Sequence, residues 1–127
     1  SVDARWDGQK YRVCVSGGRT ATELDAIAWA EECVERGAGE ILLTSIDRDG
    51  RRDGYDLGLT RAVSRAVDVP VIASGGAGSA AHVCAAITEG GAEGALVAGI
   101  LHDRVTTVGA LKRAMRDAAI PVREVAA

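Results

Sequence analysis

The chain has 127 residues, of which 47% are hydrophobic and 3% aromatic, and its formal net charge is −3. This length suggests a single domain, and the composition is that of a globular chain with a core of small aliphatic side chains. The acidic balance without a basic stripe argues against a nucleic-acid partner, and no apolar run approaches the ~20 residues that a membrane span needs.

The first residues read as the end of a strand followed by a β-ribbon. Ser1-Val2-Asp3 is predicted to close a strand, and residues 11–15 alternate as a short ribbon does. Because Asp3 lies almost at the first residue, the pattern predicts a fragment or a chain whose first strand is trimmed.

A helix is predicted to begin at a capping box formed by Thr20 and Glu23, whose spacing lets the two side chains satisfy first-turn amides. Gly37 and Gly39 are expected to end it. Its predicted apolar stripe consists of Leu24, Ile27, Ala30 and Val34.

Three further strand-and-helix units follow. Strands are predicted at residues 41–44, 71–74 and 95–98, with helices beginning at Asp56, Ser79 and about Thr107. Strands that alternate with helices in this way predict a parallel sheet with right-handed crossovers. A complete (β/α)8 barrel takes ~250 residues, so residues 1–127 are predicted to be a single (βα)4 half-barrel domain.

Reactive groups in this architecture lie where strands end. Asp3 is either a turn cap or a general acid/base there. The next strand end carries hydroxyls and carboxylates that a solvated turn does not explain: Thr44, Asp47, Asp49 and Gly50. The Asp-x-Asp pattern resembles part of a calcium loop, but no Glu occupies the twelfth position, so no metal site is predicted.

Glycine-rich turns follow the last two predicted strands. Ser74-Gly75-Gly76 is either a tight turn or a cradle whose amides bind phosphate, and the phosphate interpretation is favoured. Ala98-Gly99 carries a weaker signal of the same kind. Since both turns are expected at one end of the sheet, a single phosphate could use amides from both.

The remaining polar residues are given structural roles. His82 and His102 are predicted to be surface or cap residues, and residues 51–53 a solvated loop tip. The three cysteines cannot all pair, which predicts reduced thiols in a cytoplasmic protein.

The strings at residues 37–50, 54–56 and 71–78 resemble the C-terminal half of the cyclase-subunit family of imidazole glycerol phosphate synthase, a (β/α)8 family of histidine biosynthesis. The resemblance covers essentially the whole chain. It implies a lyase or cyclase with a phosphorylated small-molecule substrate and no cofactor. It also implies ammonia supplied by a glutaminase subunit, with Glu40 near the point where ammonia enters.

The resemblance also implies roles for individual residues. Asp3 falls on one of the family's two catalytic aspartates, while the other belongs to the half that this chain lacks. The loop residues Thr44, Asp47, Asp49 and Gly50 are placed around the substrate. One of its two phosphates is placed on Gly76, Ala77, Ala98 and Gly99. The chain departs from the family pattern at Gly99, where Ser is usual, and at Arg51-Arg52, where Thr-Lys is usual.

Two functions follow as expectations. The chain is half of a cyclase, weak or inactive in isolation, or it is a non-catalytic phosphate-binding scaffold. A four-stranded half-barrel would expose two sheet edges, which invite pairing. Closure to eight strands by a two-fold homodimer is therefore predicted; a complementary N-terminal half-barrel is the other candidate partner.

Overall fold

The computed structural model describes residues 1–124, and residues 125–127 of the predicted domain lie outside this range. Six strands form one sheet in the order β3-β2-β1-β4-β5-β6. The strands are β1 Val2–Trp6, β2 Tyr11–Val15, β3 Thr20–Asp25, β4 Ile41–Ser45, β5 Val71–Ser74 and β6 Gly94–Ala95. The helices are α1 Ala26–Glu35, α2 Leu57–Ala66, α3 Ala80–Thr88, α4 Gly99–His102 and α5 Val108–Asp117.

Four of the strands form the predicted parallel unit. β1 pairs with β4, β4 with β5, and β5 with β6, all in parallel. Helices α1, α2 and α3 lie between these strands along the chain. This mostly parallel α/β arrangement confirms the predicted fold class and is that of half a βα-barrel.

The sheet has two edges, as expected, but they are β3 and β6, and β1 is not one of them. β2 pairs antiparallel with β1 from Asp3 to Trp6, and β3 pairs antiparallel with β2. The ribbon predicted at residues 11–15 therefore has a second strand and covers the outer side of β1. Within residues 1–124, β6 is the parallel strand that has a neighbour on one side only.

The predicted capping box at Thr20 and Glu23 is also wrong. Thr20–Asp25 is strand β3, held to β2 by its ladder and by the Thr22 hydroxyl, which donates to the Val13 carbonyl at 2.8 Å. Helix α1 begins five residues later than predicted, after its N-cap Asp25, whose carboxylate accepts the amides of Ile27 and Ala28 at 3.0 Å each. Leu24 consequently lies outside the helix and is exposed.

The two candidate caps can be separated by mutation. We expect Asp25→Ala to lower the free energy of unfolding by about 1–2 kcal/mol, because two first-turn amides lose their acceptor. Thr20→Ala is the matched control, since Thr20 is exposed and caps no helix; it should change stability by under about 0.5 kcal/mol. Urea denaturation measures both, and an equal loss in the two variants would contradict the assignment of Asp25.

The fourth parallel strand is shorter than predicted. Only Gly94 and Ala95 pair with β5, and the ladder ends after the Leu96 amide donates to the Ala73 carbonyl at 2.8 Å. With a neighbour on one side only, the chain then leaves the sheet. Ala98, predicted to be the end of the strand, instead precedes the short helix α4.

The helices pack on one face of the sheet. Buried residues of β1, β4 and β5 alternate and contact α1 and α2 in one cluster: Val2, Ala4, Ile41, Leu43 and Val71. Because side chains alternate across a strand, the intervening residues lie on the opposite face. Leu42 and Ile72, register partners on that face, are only partly buried. In the described part of the chain, no helix is long and apolar enough to cross a membrane.

Candidate functional site

A row of polar residues crosses the carboxyl end of the parallel sheet. Asp3 is the register partner of Thr44, and Thr44 is the register partner of Ser74. All three lie on the face opposite the helices, since their neighbours along each strand belong to the buried clusters. The sheet itself thus positions one carboxylate and two hydroxyls beside one another.

A cavity of about 160 Å³ lies at the same end of the sheet. Most of the predicted phosphate-binding residues line it together: Asp49, Gly50, Ser74, Gly75, Gly76, Ala77, Ala98 and Gly99. The volume is below the roughly 300–1,000 Å³ of sites for drug-sized ligands. It therefore suits a group of a few atoms, such as phosphate, rather than a whole substrate.

The cavity wall offers backbone donors. The amides of Gly76, Ala77 and Gly99 have no backbone acceptor among residues 1–124. These amides come from the turn after β5 and from the turn after β6, which the sequence analysis expected to act together. Amides that lack a backbone acceptor, in residues that line one small cavity, are candidates to bind the oxygens of an anion.

The turn after β5 requires glycine at residue 76. Its φ is +109°, and a Cβ there would lie 2.1 Å from the Gly54 carbonyl oxygen. The two backbones are also joined by a hydrogen bond, in which the Gly54 amide donates to the Gly76 carbonyl at 2.8 Å. The loop after β4 and the turn after β5 are therefore in direct backbone contact.

Arg52 is the residue that sequence reasoning missed. Residues 51–53 were predicted to be a solvated loop tip, but Arg52 lines the cavity and its guanidinium lies over Gly99. Its Nη2 is 2.9 Å from the position that a Cβ of residue 99 would take, and it donates to the Asp103 carboxylate. That hydrogen bond lowers the pKa of Asp103, which is ionised at neutral pH.

Tyr55 holds the loop after β4 against the segment between β6 and α4. Its hydroxyl donates to the Leu96 carbonyl at 2.7 Å, and the side chain is 3% exposed. Burial raises the pKa of Tyr55 to about 12, so the phenol remains a neutral donor at neutral pH. The loop is thereby tied to the chain between β6 and α4.

Two predicted loop residues lie apart from the cavity lining. Asp47 accepts the Trp6 amide at 2.8 Å, which connects the loop after β4 to the end of β1. Thr44 belongs to the polar row of the sheet. Glu40 directly precedes β4 and is exposed, at the end of the sheet opposite the cavity.

His82 and two helix-capping residues make local hydrogen bonds to backbone amides. His82 accepts the Gly78 amide through Nδ1 at 3.1 Å, as expected of a residue with a structural role. Asp56 and Ser79 cap α2 and α3 as predicted, by accepting the amides of Leu59 and His82.

A mostly parallel βα sheet whose polar loops gather at the carboxyl ends of its strands places the chain in the class of βα-barrel proteins, as half of such a barrel. The chain belongs to the family described as histidine biosynthesis protein, whose model matches residues 1–107.

Curated relatives agree with this assignment. The chain is 71% identical over 123 residues to the imidazole glycerol phosphate synthase subunit HisF of Myxococcus xanthus. It is 55% identical to the protein of the same name from Metallosphaera sedula, and 53% identical to that from Synechocystis. These matches cover 97–99% of the chain but only 49–50% of each relative. The chain thus spans about half the length of the curated relatives it matches.

Proposed function

We propose that the chain supplies one phosphate site and one catalytic carboxylate of an imidazole glycerol phosphate synthase cyclase, and corresponds to its C-terminal half. The observation that carries this proposal is the single cavity shared by the turns after β5 and β6 and by Arg52. A phosphate held there would lie at the same end of the sheet as Asp3. The phosphate site would orient the phosphorylated substrate, and Asp3 would transfer protons during ammonia-dependent cyclisation and cleavage.

The phosphate site can be tested directly with inorganic phosphate. We expect Arg52→Ala to raise the Kd for phosphate about tenfold, because a hydrogen bond from a charged donor to the anion is lost. Isothermal titration calorimetry at low salt measures the change.

Arg51→Ala is the matched control. It removes the same charge from the neighbouring position, where the guanidinium pairs with Asp53. An equal loss of affinity in both variants would show a general charge effect and would contradict a specific site at Arg52.

We also propose that two copies of the chain associate through the sheet face opposite the helices and the edge of β6. Closure to an eight-stranded barrel would further require the ribbon of β2 and β3 to leave the outer edge of β1, with which β2 pairs. The face of the sheet opposite the helices carries the partly buried Leu42 and Ile72, and parallel sheets are normally covered on both faces. The open edge of β6 adjoins an apolar groove of about 260 Å³ that includes Val97, Leu101 and Val108. A two-fold dimer would cover these surfaces.

Sedimentation velocity at micromolar concentration tests the dimer. A monodisperse monomer that forms a 1:1 complex with the complementary half of the Myxococcus xanthus relative would overturn self-assembly in favour of the other half as partner. A dimer that binds phosphate and turns over no substrate would favour the non-catalytic scaffold.

The proposal also includes a partner subunit and a cellular location. A glutaminase subunit would dock at the end of the sheet that carries Glu40, opposite the cavity, and supply ammonia. A cytoplasmic location fits the three free thiols Cys14, Cys33 and Cys84.

A further inference from the structure

The guanidinium of Arg52 already forms an ion pair with a carboxylate of the chain itself. Its guanidinium lies between the cavity, which it lines, and Asp103, which accepts from Nη2. Asp103 directly follows helix α4 and is separated from Arg52 by 51 residues along the chain. The contact therefore results from the fold and is not a local turn interaction.

The charges around the cavity do not favour an anion strongly. Arg52 contributes one positive charge, while the carboxylates of Asp49, which lines the cavity, and Asp103, which pairs with Arg52, contribute two negative charges. A phosphate dianion that enters the cavity meets a guanidinium already paired with a carboxylate. Since phosphate and carboxylate oxygens take the same guanidinium donors, the two groups compete for Arg52.

The ion pair can be broken at low cost. The Arg52 side chain is 40% exposed and the Asp103 side chain 59% exposed. Exposed ion pairs contribute at most about 1 kcal/mol. A bound anion can therefore take Arg52 from Asp103, at an affinity below that of a site with a free arginine.

We propose that Asp103 is an affinity-setting residue, which competes with the bound phosphate for the guanidinium of Arg52. This inference rests on the proposed phosphate site and identifies Asp103 as a residue that lowers the affinity of that site for phosphate. Such competition would disfavour weakly charged anions and retain ligands that make further contacts along the sheet.

The test is the affinity of the full chain for inorganic phosphate at low salt. Asp103→Asn should lower the Kd about three- to fivefold, since the competing charge is removed. Asp68→Asn is the matched control: it removes the same charge at an exposed position preceding β5, at the other end of the sheet, and should leave the Kd unchanged. A gain in affinity also distinguishes competition from a structural role, because loss of a supporting contact would weaken binding.

A double-mutant cycle separates competition for Arg52 from a general field effect. In the Arg52→Ala background, the effect of Asp103→Asn should fall to less than half of its value in the original chain. An undiminished effect overturns the competition, as does an Asp103→Asn variant whose Kd is unchanged or higher. If the original chain and Asp103→Asn both fail to bind phosphate, the phosphate site itself is overturned and the inference with it.

Discussion

Gly76→Ala is expected to lower the free energy of unfolding by about 3 kcal/mol or more and to abolish measurable phosphate binding. The new methyl group would lie 2.1 Å from the Gly54 carbonyl oxygen, at a residue whose φ is +109°. Backbone atoms cannot rotate away as a flexible side chain can, so overpacking and backbone strain both oppose the substitution. Urea denaturation and phosphate titration measure the two losses.

Gly39→Ala is the matched control for this substitution. Gly39 is exposed, and a Cβ there would have no heavy atom within 4 Å. The same chemical change should leave phosphate binding unaltered and stability unchanged or slightly higher. If Gly76→Ala behaved in the same way, the backbone contact between the two loops would be wrong.

Asp3→Asn is expected to reduce ammonia-dependent turnover by about 10²–10⁴-fold, the range for loss of a general acid or base. The compound offered in the assay is the ribulosyl aminoimidazole-carboxamide nucleotide, the substrate that the proposed function implies. Activity is to be measured in whichever assembly turns over: the chain alone or the chain mixed with the complementary half of the Myxococcus xanthus relative. Asparagine has nearly the shape of aspartate, so the fold and the Kd for phosphate should be retained.

The control for Asp3 is Asp117→Asn, at an exposed position at the end of α5. It should keep full turnover. An Asp3→Asn variant that keeps its turnover would remove the catalytic role from Asp3 while leaving the phosphate site in place. An Asp3→Asn variant that loses phosphate binding as well would indicate structural damage instead.

The parts of the fold that the sequence predicted are those set by local physical chemistry. Residues 41–44 and 71–74 are short apolar runs, and both are strands in the structure. Asp56 and Ser79 have side chains suited to capping and lie just before apolar periodic segments. The glycines after residue 74 mark the turn that lines the cavity, because few other residues fit such a backbone.

The parts that were mispredicted depend on contacts distant in the chain. Thr20 and Glu23 have the spacing of a capping box, yet pairing with β2 makes the segment a strand. The contact of Arg52 with Asp103 joins residues 51 positions apart, for which no local pattern exists. The strand β6 is short because only Gly94 and Ala95 pair with β5, and no local pattern marks where that pairing ends.

The alignment of Asp3, Thr44 and Ser74 across three strands ties the polar row to one register of the sheet. A shift of one residue in either ladder would turn one of these polar groups towards the helices and bring an aliphatic side chain to the solvent-facing side. Such a molecule would lose the polar row and expose apolar surface together, so the register that forms the row is also the register that buries the aliphatic face.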